Sequence, residues 1–234
     1  MRKIERSEER GKSELVWLSS RFTYSFAEYL NPRRMGFGVL RVVNQDTVAP
    51  AMGFPMHHHE QMEIVTIMLE GTLTHQDSMG NKSELNANEV QVMTAGTGVN
   101  HSEWNHAATD AKLLQIWVYP KVRALMPQYA QRYFGIDGRK NKFQILVSGI
   151  QKDEALFIHQ DATFLRANME KGSLIPYEVS NRSNGIFIFV ISGDVSVEGE
   201  ALHVGDSIEI TSETSIGIMA NENADVLLIE VPME

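Results

Sequence analysis

Three consecutive histidines, His57-His58-His59, stand just ahead of an unbroken β-branched run, Glu63-Ile64-Val65-Thr66-Ile67-Met68-Leu69. In extended backbone alternate side chains share a face, so His57 and His59 point one way and His58 the other. His101 and Glu103, in Asn100-His101-Ser102-Glu103, form a second pair at the same spacing. If the fold brings both pairs together, three imidazoles and one carboxylate surround one position. That donor set suits Fe, Mn, Co, Ni, Cu or Zn. The carboxylate leaves a divalent ion with residual positive charge, and an octahedral ion would keep open positions, as a catalytic metal needs. Glu63 has the same parity as His57 and His59. Strand geometry therefore allows either Glu63 or Glu103 as the carboxylate, with the other orienting a histidine. His75, His106, His159 and His203 show no such pairing and read as surface or structural residues. Phe54, Met56, Met62 and Trp104 flank the histidines. They read first as core packing and second as an apolar lining for a planar ligand.

The elements that must position these residues are short strands. Gly36 to Val43 reads as a strand closed by the polar cluster Asn44-Gln45-Asp46. The run from Glu63 turns at Glu70-Gly71; Thr72 to Gln76 leads into the turn cluster Asp77 to Asn81; Val90 to Met93 and Leu113 to Tyr119 follow, the last stopped by Pro120. Residues 121–142, rich in Arg, Lys, Gln and Tyr, read as a crossing segment with a short helix. Strand-like runs resume at Phe187–Ile191, Val195–Val197, Ser207–Ile210 and Val226–Val231. Many short strands at this spacing point to an all-β barrel or sandwich. Leu69-Glu70-Gly71-Thr72-Leu73 resembles Ile191-Ser192-Gly193-Asp194-Val195, and Asn88 to Val92 resembles Gly205 to Glu209. The repeat predicts two similar barrels, residues 1–130 and 131–234. Counting from Gly193 puts Val179 and Asn181 where His57 and His59 stand, so only the first barrel is expected to bind metal.

The chain has 234 residues, no cysteine and a formal net charge of −9. Thiolate metal sites, disulfides and thiol catalysis are thereby excluded. The negative balance argues against a partner that needs neutralised phosphates, such as nucleic acid. No apolar run is long enough for a membrane helix, and the charged start Met1-Arg2-Lys3-Ile4-Glu5-Arg6 has no secretory core, so a cytoplasmic protein is expected.

Several segments resemble the pirin family of the cupin superfamily. They are Thr23-Tyr24-Ser25-Phe26-Ala27, Met35-Gly36-Phe37, His57-His58-His59-Glu60-Gln61-Met62-Glu63, His75-Gln76-Asp77-Ser78-Met79-Gly80, Ala95-Gly96-Thr97-Gly98-Val99-Asn100-His101-Ser102-Glu103 and Leu114 to Val118. The match is specific over about residues 15–135. The resemblance implies two antiparallel β-barrels face to face (a bicupin), with one metal, usually Fe(II), in the first. The family's ligands fall on His57, His59, His101 and Glu103, favouring Glu103 over Glu63. The resemblance also implies a quercetin 2,3-dioxygenase activity, which opens a flavonol with O₂ and releases carbon monoxide. A carboxylate at the metal can accept the flavonol hydroxyl's proton as general base, and Glu103 is expected to do so. The alternative it carries is an iron-dependent regulator acting through a protein partner. A monomer is the family expectation. Two departures stand out: His58 replaces the usual Pro, and Gln61 stands where Asp or Gly is common.

Overall fold

The computed structural model describes residues 1–151 and 154–234. Among these, the regular structure is strand apart from two 3-10 turns, Ser7–Glu9 and Ile136–Arg139. The first half contributes β1 (Arg2–Glu5), β2 (Gly11–Glu14), β3 (Leu18–Phe22), β4 (Leu40–Val48), β5 (Met52–His59), β6 (Glu63–Glu70), β7 (Thr72–Asp77), β8 (Lys82–Asn86), β9 (Glu89–Thr94), β10 (Val99–Asn105), β11 (Ala111–Val118) and β12 (Gln128–Tyr133). The second contributes β13 (Gln144–Ser148), β14 (Leu156–Phe157), β15 (Thr163–Met169), β16 (Leu174–Glu178), β17 (Asn184–Ser192), β18 (Val195–Val197), β19 (Glu200–Leu202), β20 (Ser207–Thr211), β21 (Ser215–Ala220) and β22 (Ala224–Pro232).

The sheets repeat. One seven-stranded sheet has the order β12-β9-β6-β11-β4-β3-β2 and faces a four-stranded sheet β5-β10-β7-β8. The second half has β1-β20-β17-β22-β15-β13-β14 with β16-β21-β18-β19. Strand for strand the central positions correspond, so the repeat read from the sequence is a repeat of topology. The expected barrels are two-sheet sandwiches, because each large sheet ends in edge strands rather than closing on its partner. Gly71 and Gly193 mark the correspondence. Both have φ near +75°, and a Cβ at either would strike a backbone carbonyl, of Asp110 or of Asn223.

Two sequence expectations change here. The cluster Asn44-Gln45-Asp46 does not end a strand; β4 runs through it. The segment 121–142 holds strand β12, paired with β9, and its only helical turn is the 3-10 turn.

The large sheets pack back to back. Val65, Ile67, Leu114 and Ile116 of one meet Phe187, Phe189, Leu227 and Ile229 of the other in one buried cluster. Strands covered on both faces need apolar residues at successive positions, which is why residues 64–68 and 113–118 are apolar except at Thr66 and Gln115. Strand β1 crosses over to edge the second half's sheet beside β20. It is tied there by Arg34, whose guanidinium donates to Glu5 at 2.7 Å and to Glu209 at 2.6 Å. Tyr24 Oη donates to the same Glu209 at 2.9 Å. Arg34 is 5% exposed, so its removal would leave two carboxyls facing each other out of water. Arg34→Ala is expected to cost about 3–5 kcal/mol of stability in denaturant unfolding. A loss below about 1 kcal/mol, the value of a surface pair, would contradict this role.

Candidate metal centre

The centre lies in the first half, between β5 and β10 of the small sheet and the inner face of the large one. β10 pairs with β5 so that His101 stands opposite His57 and Val99 opposite His59. Their rings converge: the centroids of His57, His59 and His101 are 4.4–4.9 Å apart, and their ligand atoms lie within 4.8 Å of one another. His58 takes the other face, half exposed, with Nδ1 3.3 Å from Asn100 Oδ1. This is the alternation the strand period demands. A Cβ at Gly98 would lie 2.9 Å from the His58 ring, so the glycine makes room for the histidine that replaces proline. Gln61 has φ +51°, a left-handed turn position of the kind glycine adopts at least cost.

The imidazoles are set up to bind a metal. His57 Nδ1 lies 2.8 Å from the Pro55 carbonyl, so it carries the proton and leaves Nε2 with its lone pair free. His101 is 1% exposed, yet neither ring nitrogen has a partner among the described residues. A buried imidazole without hydrogen bonds is destabilising unless something else satisfies it, and a metal ion does so. Burial, then the neighbouring rings, holds His59 down to about 4 and His101 lower still. The unfolded chain would take up these protons below 6.5, so in the metal-free protein both rings oppose folding there.

Glu103 is 1% exposed, and its carboxyl is held by the large sheet. Gln91 Nε2 donates to Oε1 at 2.6 Å and Gln115 Nε2 to Oε2 at 3.0 Å. Thr66 Oγ1 donates to Gln115 Oε1 at 2.9 Å. These three residues, with Asn44, lie directly opposite one another on β9, β6, β11 and β4. They form one polar row across the sheet. Burial pushes the Glu103 carboxyl above the usual range; His75, His57 and the bonds from Gln91 and Thr66 pull it partly back.

Glu63 is fully buried away from this cluster, with Oε2 accepting from Thr94 at 2.8 Å. Burial raises its carboxyl to about 7. His75 was read from the sequence as a surface or structural residue, and the structure favours the second. It is 0% exposed and stands directly opposite Glu103. Its Nε2 is 3.1 Å from Asp77 Oδ2, its ring stacks on Tyr129 at 4.4 Å, and its Nδ1 is buried without a partner among the described residues. His75, His101 and Glu103 form a second group with ligand atoms within 4.8 Å. The signal was present: His75 and Asp77 repeat the spacing of His101 and Glu103. His106 and His203 are exposed, and His159 is half-buried.

A cavity of about 340 Å³ opens onto His57, His59 and Glu103. Trp17, Phe22, Phe26, Phe54 and Trp117 supply its aromatic walls, and Asn44, Asp46 and Gln115 its polar ones. Of the four apolar residues that flank the histidines in the sequence, only Phe54 lines it. Met56 is 53% exposed, Met62 packs behind the site with Ile64 and Met93, and Trp104 alternates to the outer face near His106.

The second half has the same strands without the chemistry. Asn44, Gln115, Thr66 and Gln91 correspond to Leu165, Leu228, Ile188 and Ile208, which pair in the same order within an apolar cluster. The buried positions of β21 are Ile216, Ile218 and Ala220.

Known proteins agree with this architecture. Residues 3–118 match the Pirin family and residues 145–231 the quercetinase C-terminal cupin domain. A quercetin 2,3-dioxygenase of Escherichia coli K12 is 39% identical over 230 residues, covering 98% of both chains. A pirin-like protein of Caulobacter vibrioides is 38% identical, covering 94% of this chain and 95% of its own. The crystal structure of the bacterial pirin YhhW from Escherichia coli in complex with nickel(II) superposes with a TM-score of 0.94 at 38% identity, covering 99% of each chain.

Two measurements check the centre. In the metal-free protein, ring-nitrogen NMR should show His59 neutral down to about pH 4. Titration near 6.5 would contradict the burial described. His58→Ala is expected to keep full metal stoichiometry in elemental analysis, whereas His57→Ala loses most of it; equal loss would contradict the assigned directions.

Proposed function

The chain belongs to the pirin family, and on that premise we propose that it is a metal-dependent dioxygenase opening a flavonol such as quercetin with O₂ and releasing carbon monoxide. The observation that carries this reading is the convergence of His57, His59 and His101 beside buried Glu103 at the wall of an aromatic cavity. His57, His59, His101 and Glu103 hold one divalent ion, with Fe(II) as the physiological metal. When bound, that ion supplies Lewis acidity and open coordination positions.

The chain's own residues do the rest. Trp17, Phe54 and Trp117 hold the flat rings and keep water out. Glu103 takes the proton of the flavonol hydroxyl, and its raised affinity for a proton suits that task. Gln91 and Gln115 fix the carboxyl so that accepting the proton needs no rotation. Residues 1–130 carry the chemistry. Residues 131–234 give the large sheet a rigid backing. The reading places the enzyme in the cytoplasm as a monomer.

Oxygen uptake with quercetin, using protein of measured metal content, tests this. Uptake and carbon monoxide release should scale with metal content. Glu103→Gln should lower kcat by about 10²–10⁴-fold, the usual worth of a positioned proton acceptor. Fully metallated protein that consumes no oxygen would contradict the reading and leave the regulatory alternative.

A further inference from the structure

The cavity carries two buried oxygens that the reaction just described does not use. Asp46 is 3% exposed and Asn44 2%, and both line the cavity. Asp46 Oδ1 and Asn44 Oδ1 have no hydrogen-bond partner among the described residues. Ser20, directly opposite Asp46 on β3, supplies a side-chain hydrogen bond to that carboxyl. Burial raises the carboxyl to about 7, as expected for an acid short of partners.

The fold does not demand these polar groups. In the second half Asn44 is matched by Leu165 and Asp46 by Ala167, both in the apolar core. Nor does the metal demand them. On β11, Trp117 packs on His59, Gln115 holds Glu103, and Leu113 stands opposite Asp46. Asp46 therefore lies on the far side of the Glu103 row from His59. It is displaced from Asn44 by two strand residues, about 7 Å. Unpaired buried acceptors in a cavity with aromatic walls call for a ligand that brings donors on a flat frame.

We propose that Asp46 and Asn44 form a hydroxyl-reading subsite, accepting hydrogen bonds from phenolic hydroxyls that the substrate carries away from its reacting hydroxyl. This rests on the flavonol reading and narrows it: the substrate is a polyhydroxylated aromatic, and the bare ring system is a poor one. A site that leaves buried acceptors unpaired rejects the analogue lacking the matching donor.

Equilibrium binding under argon to the nickel-loaded protein tests the subsite. The two probes are quercetin and 3-hydroxyflavone, which keeps the reacting hydroxyl and ketone but has no other hydroxyl. The wild type should prefer quercetin about tenfold or more. Asp46→Leu should shrink that preference to about threefold or less, and Asp46→Asn, which keeps an acceptor oxygen, should retain most of it. Equal affinity for the two probes in the wild type overturns the subsite and leaves the flavonol reading standing. So does a preference that survives both Asp46→Leu and Asn44→Leu. Binding of neither probe overturns both.

Discussion

A buried carboxylate needs donors, and the way Glu103 obtains them organises this half of the molecule. Gln91 and Gln115 reach it from the opposite sheet, and Thr66 ties Gln115 in place. The row works only if β9, β6, β11 and β4 hold their register, because a slip of one residue would turn every one of these side chains to the other face. The same four positions in the second half are Leu165, Leu228, Ile188 and Ile208. The fold is therefore content with hydrocarbon there. The polar row holds the carboxylate, which groups with His75 and His101 beside the convergence of His57, His59 and His101.

The second half contributes stiffness. Its large sheet covers the outer face of the first with phenylalanines and branched residues, so strands that carry the polar row on one side are close-packed on the other. The crossover of β1 and the buried Arg34 with Glu5 and Glu209 pin the two sheets together. A site built on such strands keeps its geometry without a ligand, which is what electrostatic preorganisation requires.

Much of the centre was legible because strand parity is a strict rule. It separated His57 and His59 from His58, and it paired His101 with Glu103. Parity could not choose between Glu63 and Glu103; that depends on which sheet each strand joins. It also failed where the site itself breaks the apolar pattern. Asn44-Gln45-Asp46 looks like a turn because three polar residues interrupt a strand, yet two of them face the cavity. His75 was passed over although His75 and Asp77 have the ligand spacing, since its burial comes from Tyr129 on a strand, β12, that the sequence presents as a polar crossing segment. Functional sites are where local propensity and global fold disagree.

The central claim is that the triple imidazole, closed by Glu103, holds the metal. Anomalous diffraction from crystals of metal-loaded protein tests it most directly. The account predicts one peak per chain, with nitrogens of His57, His59 and His101 and an oxygen of Glu103 at about 2.0–2.2 Å. A peak held by His75, His101 and Glu103 without His57 and His59 would contradict it.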